Sequence, residues 1–190
     1  MSQVKKEEVR LAILASARTL FTTQGYSATT IPMIARGAGI SPPNVYSYFA
    51  SKLQVLYAIY DPWLRERFAA LSAEVGARRT PATRLRRLFE GLWQELPAHD
   101  QGFANNVIQA ISTATPKDEY RTGLIDWMER EIERMLVEAL PPERHALVRN
   151  TDVPHMVVMA MDGYIMYCHT CPERACSGRT IDAMCRMLLG

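Results

Sequence analysis

The sequence has no long apolar run and almost no strand-like alternation. No stretch of 18 consecutive apolar residues occurs in it, which excludes a membrane-spanning helix. The nearest approach, residues 153–168, is interrupted by Pro154, His155 and Asp162, so a buried helix explains it better. The N-terminus has no apolar stretch behind its lysines, so we expect no secretory signal and no membrane partner, and we predict a cytoplasmic protein.

Cysteine is absent from the first 167 residues, and no catalytic motif is apparent. The sequence contains no HExxH zinc motif, Gly-rich phosphate loop or paired-carboxylate signature, and no set of nucleophile, base and orienting group. We therefore expect no enzyme, no cofactor and no bound metal. The four cysteines lie in the last 23 residues, and in a cytoplasmic protein we expect them to be reduced.

The charges are distributed unevenly along the chain. Of the 190 residues 48% are apolar, so the chain can bury a core, and the net charge of +2 alone says nothing about partners. The first 60 residues, however, contain six basic and two acidic side chains, whereas the remainder contains 16 basic and 18 acidic ones. This pattern indicates a polyanionic partner for the front of the chain, although a solvated basic face would have the same composition.

Helical periodicity dominates the sequence and predicts an all-α fold of about nine helices. Proline and glycine fall at intervals typical of helical proteins. Gly25 is expected to end the first helix as a C′ glycine, and Gly39 to close the second. The predicted helices cover about residues 5–24, 30–39, 41–49, 51–75, 80–96, 101–114, 115–140, 154–171 and 180–189.

Several of the predicted helices begin with a capping signal. We predict Thr30 as the N-cap of the second helix, and Ser41, which precedes two prolines, as the N-cap of the third. Ser51 and Gln54 have the S-x-x-Q spacing of a capping box at the start of the fourth helix. The fifth and seventh helices are expected to open at Thr80-Pro81 and Thr115-Pro116 and to end before Pro97 and Pro141.

Residues 31–50 have the spacing of a helix-turn-helix. Two short helices must cross closely in this motif, so a small residue, Ala35, is needed where they touch. Gly39 can adopt the left-handed backbone of the turn without strain. We expect Ile34, Ile40 and Val45 to close a small shared core, which makes the segment a candidate DNA-binding unit.

A longer set of residues follows the order and the spacing of the signature residues of a known protein family. These are Ile13-Leu14, Leu20-Phe21, Gly25-Tyr26, Thr29-Thr30, Ile34-Ala35, Ala38-Gly39-Ile40-Ser41, Val45-Tyr46, Tyr48-Phe49, Ser51-Lys52 and Leu56. On these positions residues 9–57 resemble the TetR/AcrR family of transcriptional regulators. The resemblance implies a three-helix helix-turn-helix DNA-binding domain at residues 1–50 and an α-helical ligand-binding and dimerisation domain at residues 51–190.

The resemblance also assigns the DNA-facing side chains. The third helix would enter the major groove, where the Asn44 amide is the best direct reader because it can pair with adenine N6 and N7. Val45 and Phe49 would face inward. Family members often have a polar or basic residue after the threonine pair, and Ile31-Pro32 at this position weakens a base contact from the second helix. The predicted DNA contacts are Thr30, Ser41, Pro42, Pro43, Asn44, Tyr46, Tyr48 and Lys52.

As a whole, the resemblance implies a repressor that binds a palindromic operator in double-stranded DNA as a homodimer. The dimer would form through the eighth and ninth predicted helices, residues 154–171 and 180–189. The eighth is apolar around much of its circumference, which requires burial on more than one side, although a contact within the chain is the alternative.

A small effector, apolar or aromatic in character, is expected to bind among the central helices and release the operator. Each residue type proposed for its wall is more often part of an ordinary core than a ligand contact. Asn105, Asn106 and Gln109 are candidate polar contacts, with solvated surface as the alternative. The predicted wall consists of Trp63, Phe89, Trp93, Phe103, Trp127 and Met161.

The cysteine group leaves an alternative function open. Cys168, His169 and Cys171 form half of a zinc knuckle, but no second pair of ligands follows. A thiol switch needs a lowered pKa and an exposed thiol, and the sequence shows neither. Incidental thiols near the dimer interface are the first interpretation. The alternative is a redox- or metal-responsive regulator that signals through Cys168, Cys171, Cys176 and Cys185.

Overall fold

A computed structural model describes residues 3–99, 102–114, 123–174 and 176–190, and within these ranges the chain is helical and contains no strand. None of the described helices is long and apolar enough to cross a membrane. The start of the predicted seventh helix at Thr115-Pro116 lies outside the described residues. The helices are α1 (Gln3–Ala28), α2 (Ile31–Gly37), α3 (Pro42–Tyr46), α4 (Lys52–Gly76), α5 (Pro81–Glu90), α6 (Leu96–His99), α7 (Phe103–Ser112), α8 (Gly123–Ala139), α9 (Val153–Thr170) and α10 (Gly178–Leu189).

The all-α prediction is therefore confirmed, and the last two predicted helices correspond to α9 and α10. Three shorter helical segments complete the described chain. A π turn covers Gly91–Glu95, and 3₁₀ turns cover Pro142–Leu147 and Pro172–Arg174.

The chain divides into two compact units. The first consists of Met1–Trp63 and Gln101–Arg121, and the second of Leu64–Asp100 and Thr122–Gly190. Each unit has its own buried apolar side chains, such as Ile13, Phe21, Ile34, Val45 and Leu56 in the first and Phe68, Leu88, Phe89, Trp93 and Ile132 in the second. These units are defined by packing. The predicted boundary at residue 50, between a DNA-binding domain and a ligand-binding and dimerisation domain, stays a prediction.

The turn between α2 and α3 is built as predicted. Gly39 has a φ of 68°, and its N–H donates to the carbonyl of Arg36 (3.2 Å), while the N–H of Ile40 donates to the carbonyl of Ala35 (3.0 Å). This pair of bonds is the Schellman arrangement, which satisfies the last carbonyls of α2. Because the turn needs a positive φ, glycine is the residue that fits it without strain.

Gly37 lies close against α1, a contact that the sequence analysis missed. Ala35 is buried, as predicted. However, a Cβ placed on Gly37 would stand 3.1 Å from the Cβ of Ser16 and closer still to its hydroxyl, and that hydroxyl donates to the Ile34 carbonyl (2.9 Å). The missing side chain thus lets α1 and α2 approach closely enough for this bond.

The capping predictions hold in part. The Thr30 hydroxyl accepts from the N–H of Met33 (3.4 Å), as predicted. Ser41 has the extended backbone of an N-cap, but its side chain makes no capping bond. That part of the prediction is wrong because Pro43, the second helical residue, brings no N–H, and the N–H of Asn44, the third, donates to the Ser41 carbonyl (3.0 Å).

Two further helix starts are capped as their sequences predict, with one change. The Ser51 hydroxyl accepts from the N–H of Gln54 (3.2 Å), but the Gln54 side chain accepts from the N–H of Ala50 (3.0 Å), one residue earlier than in a standard capping box. At α5 the box formed by Thr80 and Thr83 is complete.

The predicted helix end before Pro97 is wrong. A helical run continues from Pro81 to His99, because the π turn joins α5 to α6 without a gap. In this turn the N–H of Leu96 donates to the carbonyl of Gly91, five residues earlier. The wider turn changes the hydrogen-bond register immediately before Pro97, and the helix can then pass a residue that has no N–H.

A buried amide ties α7 to the end of α1. Gly25 interrupts α1 with a φ of 81°. The Oδ1 atom of Asn106, a residue only 4% exposed, accepts from the N–H of Tyr26 (2.6 Å), and its Nδ2 atom donates to the carbonyl of Phe21 (3.1 Å). The expectation that Asn106 is an effector contact or solvated surface is therefore wrong.

Replacing this amide should weaken the first unit. We expect Asn106→Ala to lower the free energy of unfolding by about 1–3 kcal/mol, because the buried amide's two hydrogen bonds, to the Tyr26 N–H and the Phe21 carbonyl, would be lost. Denaturant titration followed by circular dichroism measures this change. Asn105→Ala, one residue earlier on the same helix, is the matched control and should cost less than about 0.5 kcal/mol. Equal effects of the two substitutions would contradict the assignment.

Candidate nucleic-acid interface and effector region

The short helix α3 and its flanks expose the side chains predicted to meet DNA. Tyr46 is 56% exposed, whereas Val45 is fully buried and Phe49 is 5% exposed, as predicted for the inward side. The helix has only five residues, so its inward side chains must hold it in place while its outer edge stays available. Thr30, Ser41, Pro43, Asn44 and Tyr46 are exposed, and Pro42, Tyr48 and Lys52 are half-buried.

An open cleft of about 810 Å³ adjoins this edge, and the sequence analysis did not foresee it. The start of α1 forms one side of it with Lys6 and Arg10, and the α3 region forms the other with Asn44 and Tyr48. The basic excess in the first 60 residues was the signal for it, but the sequence alone did not show that α1 begins beside α3. The lining is Val4, Lys6, Glu7, Val9, Arg10, Ile40, Asn44, Ser47 and Tyr48.

Lys52, predicted to neutralise a DNA phosphate, makes contacts within the chain. Its Nζ atom donates to the carbonyls of Tyr26 (2.7 Å) and Thr29 (2.8 Å) and lies 3.9 Å from the centre of the Tyr26 ring. Lys52 therefore joins the first turn of α4 to the segment between α1 and α2. A phosphate contact by Lys52 stays a prediction.

Three of the predicted wall residues lie in the core of the second unit. Phe89 and Trp93 are fully buried, with ring centroids 4.5 Å apart, and Met161 is also buried. The indole N–H of Trp93 donates to the carbonyl of Val157 on α9 (3.2 Å), one helical turn before Met161. The polar group of Trp93 is thereby satisfied, as a buried indole requires.

The other three wall residues have separate surroundings. Trp127 packs on Phe68 at 5.1 Å between centroids, and the Arg65 guanidinium lies 4.3 Å from its ring centre. Trp63 and Phe103 belong to the first unit, where Trp63 stacks on Tyr60 at 5.6 Å. An effector wall made by the six side chains stays a prediction.

The cysteines fall into two classes. Cys176 and Cys185 are buried, and burial raises the pKa of both thiols. Cys168 and Cys171 are half-buried. A raised pKa lowers the thiolate fraction, which opposes the reactivity that a thiol switch needs.

A metal site at the cysteines has no support in the described residues either. Among them, no three His, Cys, Asp or Glu side chains stand close enough together to hold an ion. The His169 side chain, part of the half zinc knuckle, lies outside the described residues.

One face of α9 exposes large apolar side chains. Met156 and Met159 are each 60% exposed, whereas Val157, Val158 and Met161 on the other side of the helix are buried. Such a face on a folded unit marks a surface that another molecule covers. The exposed apolar residues of α9 and α10 are Met156, Met159, Met166, Tyr167 and Met187.

An acidic residue interrupts this apolar face. Asp162 stands between Met159 and Met166 along α9, and its side chain is exposed in the single protomer. Partial removal of water by its surroundings nevertheless raises the pKa of Asp162 to about 6. A carboxyl group in this position resists ionisation more than an ordinary aspartate does.

The helix-turn-helix region matches a known family, and the chain is similar to two curated transcriptional regulators. Residues 13–59 match the bacterial regulatory proteins of the tetR family. The chain is 30% identical over 115 residues to the HTH-type transcriptional regulator EthR of Mycolicibacterium smegmatis, a match that covers 60% of this chain and 52% of EthR. It is 29% identical over 138 residues to the HTH-type transcriptional repressor KstR2 of Mycobacterium tuberculosis, covering 73% of this chain and 66% of KstR2.

The chain thus spans between half and two thirds of the length of these relatives. A solved structure extends the comparison to nearly the whole chain. The fatty acid degradation regulator FadR from Bacillus subtilis, in complex with stearoyl-CoA, superposes with a TM-score of 0.62 at 12% identity and covers 95% of this chain and 97% of FadR. This similarity concerns the fold, and it confirms an N-terminal helix-turn-helix followed by a helical domain.

Thiol labelling should separate the two classes of cysteine. At pH 8 we expect Cys168 and Cys171 to react with an aromatic disulfide reagent about tenfold faster than Cys176 and Cys185, because burial raises the pKa of the latter and blocks access. Absorbance at mixing times of seconds follows the released thiolate. The fast phase should persist in Cys176→Ser/Cys185→Ser and vanish in Cys168→Ser/Cys171→Ser, and the reverse result would refute the division.

Proposed function

We propose that the chain is a TetR-family repressor that binds a palindromic operator as a homodimer and leaves it when a small effector binds, because residues 13–59 match the tetR family of bacterial regulatory proteins and the similar curated proteins are transcriptional regulators. The names of the relatives are those of transcriptional regulators, in agreement with the prediction that the chain is not an enzyme. No observation favours the redox- or metal-responsive alternative.

The exposed edge of α3 is the observation that carries the DNA-binding proposal. Asn44 and Tyr46 point away from a fully buried Val45, so the helix can contact a duplex without losing its anchor. A major groove about 12 Å wide admits such a helix, and an asparagine amide can pair with two atoms of adenine. Lys6 and Arg10, across the adjoining cleft, supply positive charge for backbone phosphates.

Substitutions on the two sides of this cleft should have different effects on DNA binding. The operator is first obtained by selecting bound sequences from random duplexes, which also gives its symmetry and spacing. Asn44→Ala should then weaken operator binding by about 1–3 kcal/mol and reduce the base preference at one position of the operator. Binding to a random duplex should be almost unchanged. Fluorescence anisotropy with labelled duplexes measures both affinities.

Lys6→Ala is the matched comparison for that measurement. It should weaken the operator and the random duplex by the same factor and reduce the slope of log affinity against log salt by about one. The assignment of Asn44 as a base reader would be refuted if Asn44→Ala reduced both affinities equally.

The apolar face of α9, with Met187 of α10, is proposed as the homodimer interface. Methionine side chains adapt to irregular surfaces, and a helix face with three of them exposed is unfavourable in water. A two-fold dimer presents two α3 helices related by the same axis, and this symmetry is what makes the operator palindromic.

Asp162 makes this interface sensitive to pH. Its pKa is already raised to about 6 in the protomer, and further burial at the interface would raise it more. Protonated Asp162 therefore favours the dimer, and association should weaken as the pH rises from about 5.5 to 8. Sedimentation velocity at several protein concentrations measures the dimer affinity at each pH.

Two variants isolate the contribution of Asp162. Another ionisable side chain, His155, lies on the same helix and contacts Glu129 (2.7 Å), so the wild-type profile alone is not diagnostic. Asp162→Asn should strengthen the dimer at pH 8 and flatten the profile, whereas Asp152→Asn, an exposed aspartate at the start of α9, should leave it unchanged. An unaltered profile in Asp162→Asn would sink the proposed position of the interface.

The effector is proposed to be a small molecule with an apolar portion, seated near the aromatic core of the second unit. Phe89, Trp93 and Met161 support this location because all three side chains are large and buried. They come from α5, the π turn and α9 of the same unit. An effector that binds the DNA-free form more tightly shifts the population away from the operator, and the operator must weaken effector binding by the same factor. The stearoyl-CoA complex of FadR makes coenzyme A thioesters the first compounds to test.

A further inference from the structure

The second unit contains a strongly basic cleft that the proposed function does not yet use. It is open, has a volume of about 520 Å³, and lies where the chain leaves α4 and enters α5. Its size falls within the range of small-molecule sites. The wall, called the arginine cleft below, includes Arg78, Arg79, Arg86 and Arg87 together with the hydroxyls of Thr80 and Thr83.

Glu90 also lines the cleft, but two of the four arginines form no ion pair with it or with another carboxylate of the described residues. Arg86 forms ion pairs with Glu90 (2.9 Å) and with Asp182. Arg78 and Arg79, by contrast, are exposed and form no ion pair with any carboxylate in the described part of the chain. Two adjacent guanidinium groups without a carboxylate partner suit a ligand with more than one negative charge.

The third observation is a buried guanidinium with a donor left over. Arg87 is 8% exposed; its Nε atom donates to Glu74 (2.7 Å) and its Nη2 atom donates to Glu95 (2.7 Å). Its Nη1 atom is buried and has no hydrogen-bond partner among the described residues. A buried donor without an acceptor is costly, and such groups are rare in folded proteins.

The two glutamates explain why this arrangement persists. They fix the orientation of the Arg87 guanidinium and balance its charge within the chain. An anion in the cleft would therefore bring its negative charge and acceptor oxygens to Arg78 and Arg79. The planar fork of arginine matches the oxygens of a phosphate group, which can accept two parallel bonds from it.

From these contacts we propose that the arginine cleft binds the phosphate groups of the effector, so that the effector combines an apolar portion with a nucleotide-like, phosphate-bearing portion. This inference rests on the proposed function. The same helical run carries arginines of the cleft and Phe89 of the aromatic core. A carboxylate effector is a poorer match, since one charge would leave an arginine of the Arg78–Arg79 pair unbalanced.

The test uses the full-length protein and defined probes. Isothermal titration calorimetry measures the binding of coenzyme A, adenosine 3′,5′-bisphosphate, adenosine and inorganic phosphate to the wild type and two double variants. Arg78→Ala/Arg79→Ala removes the two unbalanced charges from the surface without touching the buried Arg87 network. Arg130→Ala/Arg149→Ala removes two exposed charges elsewhere in the same unit and is the matched control.

We expect coenzyme A and the bisphosphate to bind the wild type and the control alike and to bind Arg78→Ala/Arg79→Ala at least about tenfold more weakly. Adenosine should not bind measurably, and inorganic phosphate should compete only at much higher concentrations. The inference is overturned if no phosphate compound binds, if both double variants lose affinity equally, or if adenosine binds as well as its bisphosphate. Inorganic phosphate binding as tightly as the bisphosphate would also overturn it, because the cleft would then hold a free anion.

Operator binding measured in parallel, without nucleotide, keeps the two proposals apart. Wild type and both double variants should bind the selected operator with similar affinity. If Arg78→Ala/Arg79→Ala binds the operator poorly while no nucleotide binds, the cleft serves DNA and the inference fails. If a coenzyme A thioester releases the operator equally well from wild type and from that variant, the repressor proposal stands and the cleft assignment is wrong.

Discussion

The side-chain amide of Asn106 holds the end of α1, and the architecture of the first unit depends on it. Gly25 breaks the helix and leaves backbone groups on both sides unpaired, and Asn106 satisfies the Phe21 carbonyl and the Tyr26 N–H together. Lys52, at the start of α4, binds the carbonyl of the same Tyr26. The end of α1, the start of α4 and the middle of α7 therefore meet at one short segment, directly before α2 begins. Because these polar groups are buried, the cost of separating them keeps the segment in a single conformation.

The fixed position of this segment helps to explain how the short helix α3 can expose one side. Five residues do not form a stable helix in water, and α3 is held by Val45 and Phe49 inside the unit and by the turn at Gly39. Stability therefore comes from the inward residues. The outer edge, with Asn44, is then free to be selected for its contacts with another molecule rather than for packing.

The second unit uses one helical run for several purposes. Over less than three turns it places Arg86 and Arg87 at a basic cleft and Phe89 and Trp93 in the aromatic core, and the π turn then lets it pass Pro97. A ligand with an apolar part and an anionic part would find both complements along this run. Arg87 is buried near the aromatic core, and a buried guanidinium needs carboxylate partners. Glu74 and Glu95 supply them.

The sequence by itself determined the features that depend on residues a few positions apart. The all-helical fold, the caps at Thr30 and Ser51, the glycines of the turns and the register of the helix-turn-helix are local, because backbone geometry and capping act within one helical turn. Only the tertiary structure decided which polar side chains are buried and with what partners. Asn106 meets groups 80 and 85 residues away, Arg87 joins glutamates on either side of it, and the start of α1 lies beside α3. A residue's type states which bonds it can make, but its partner depends on where the packed helices bring the rest of the chain.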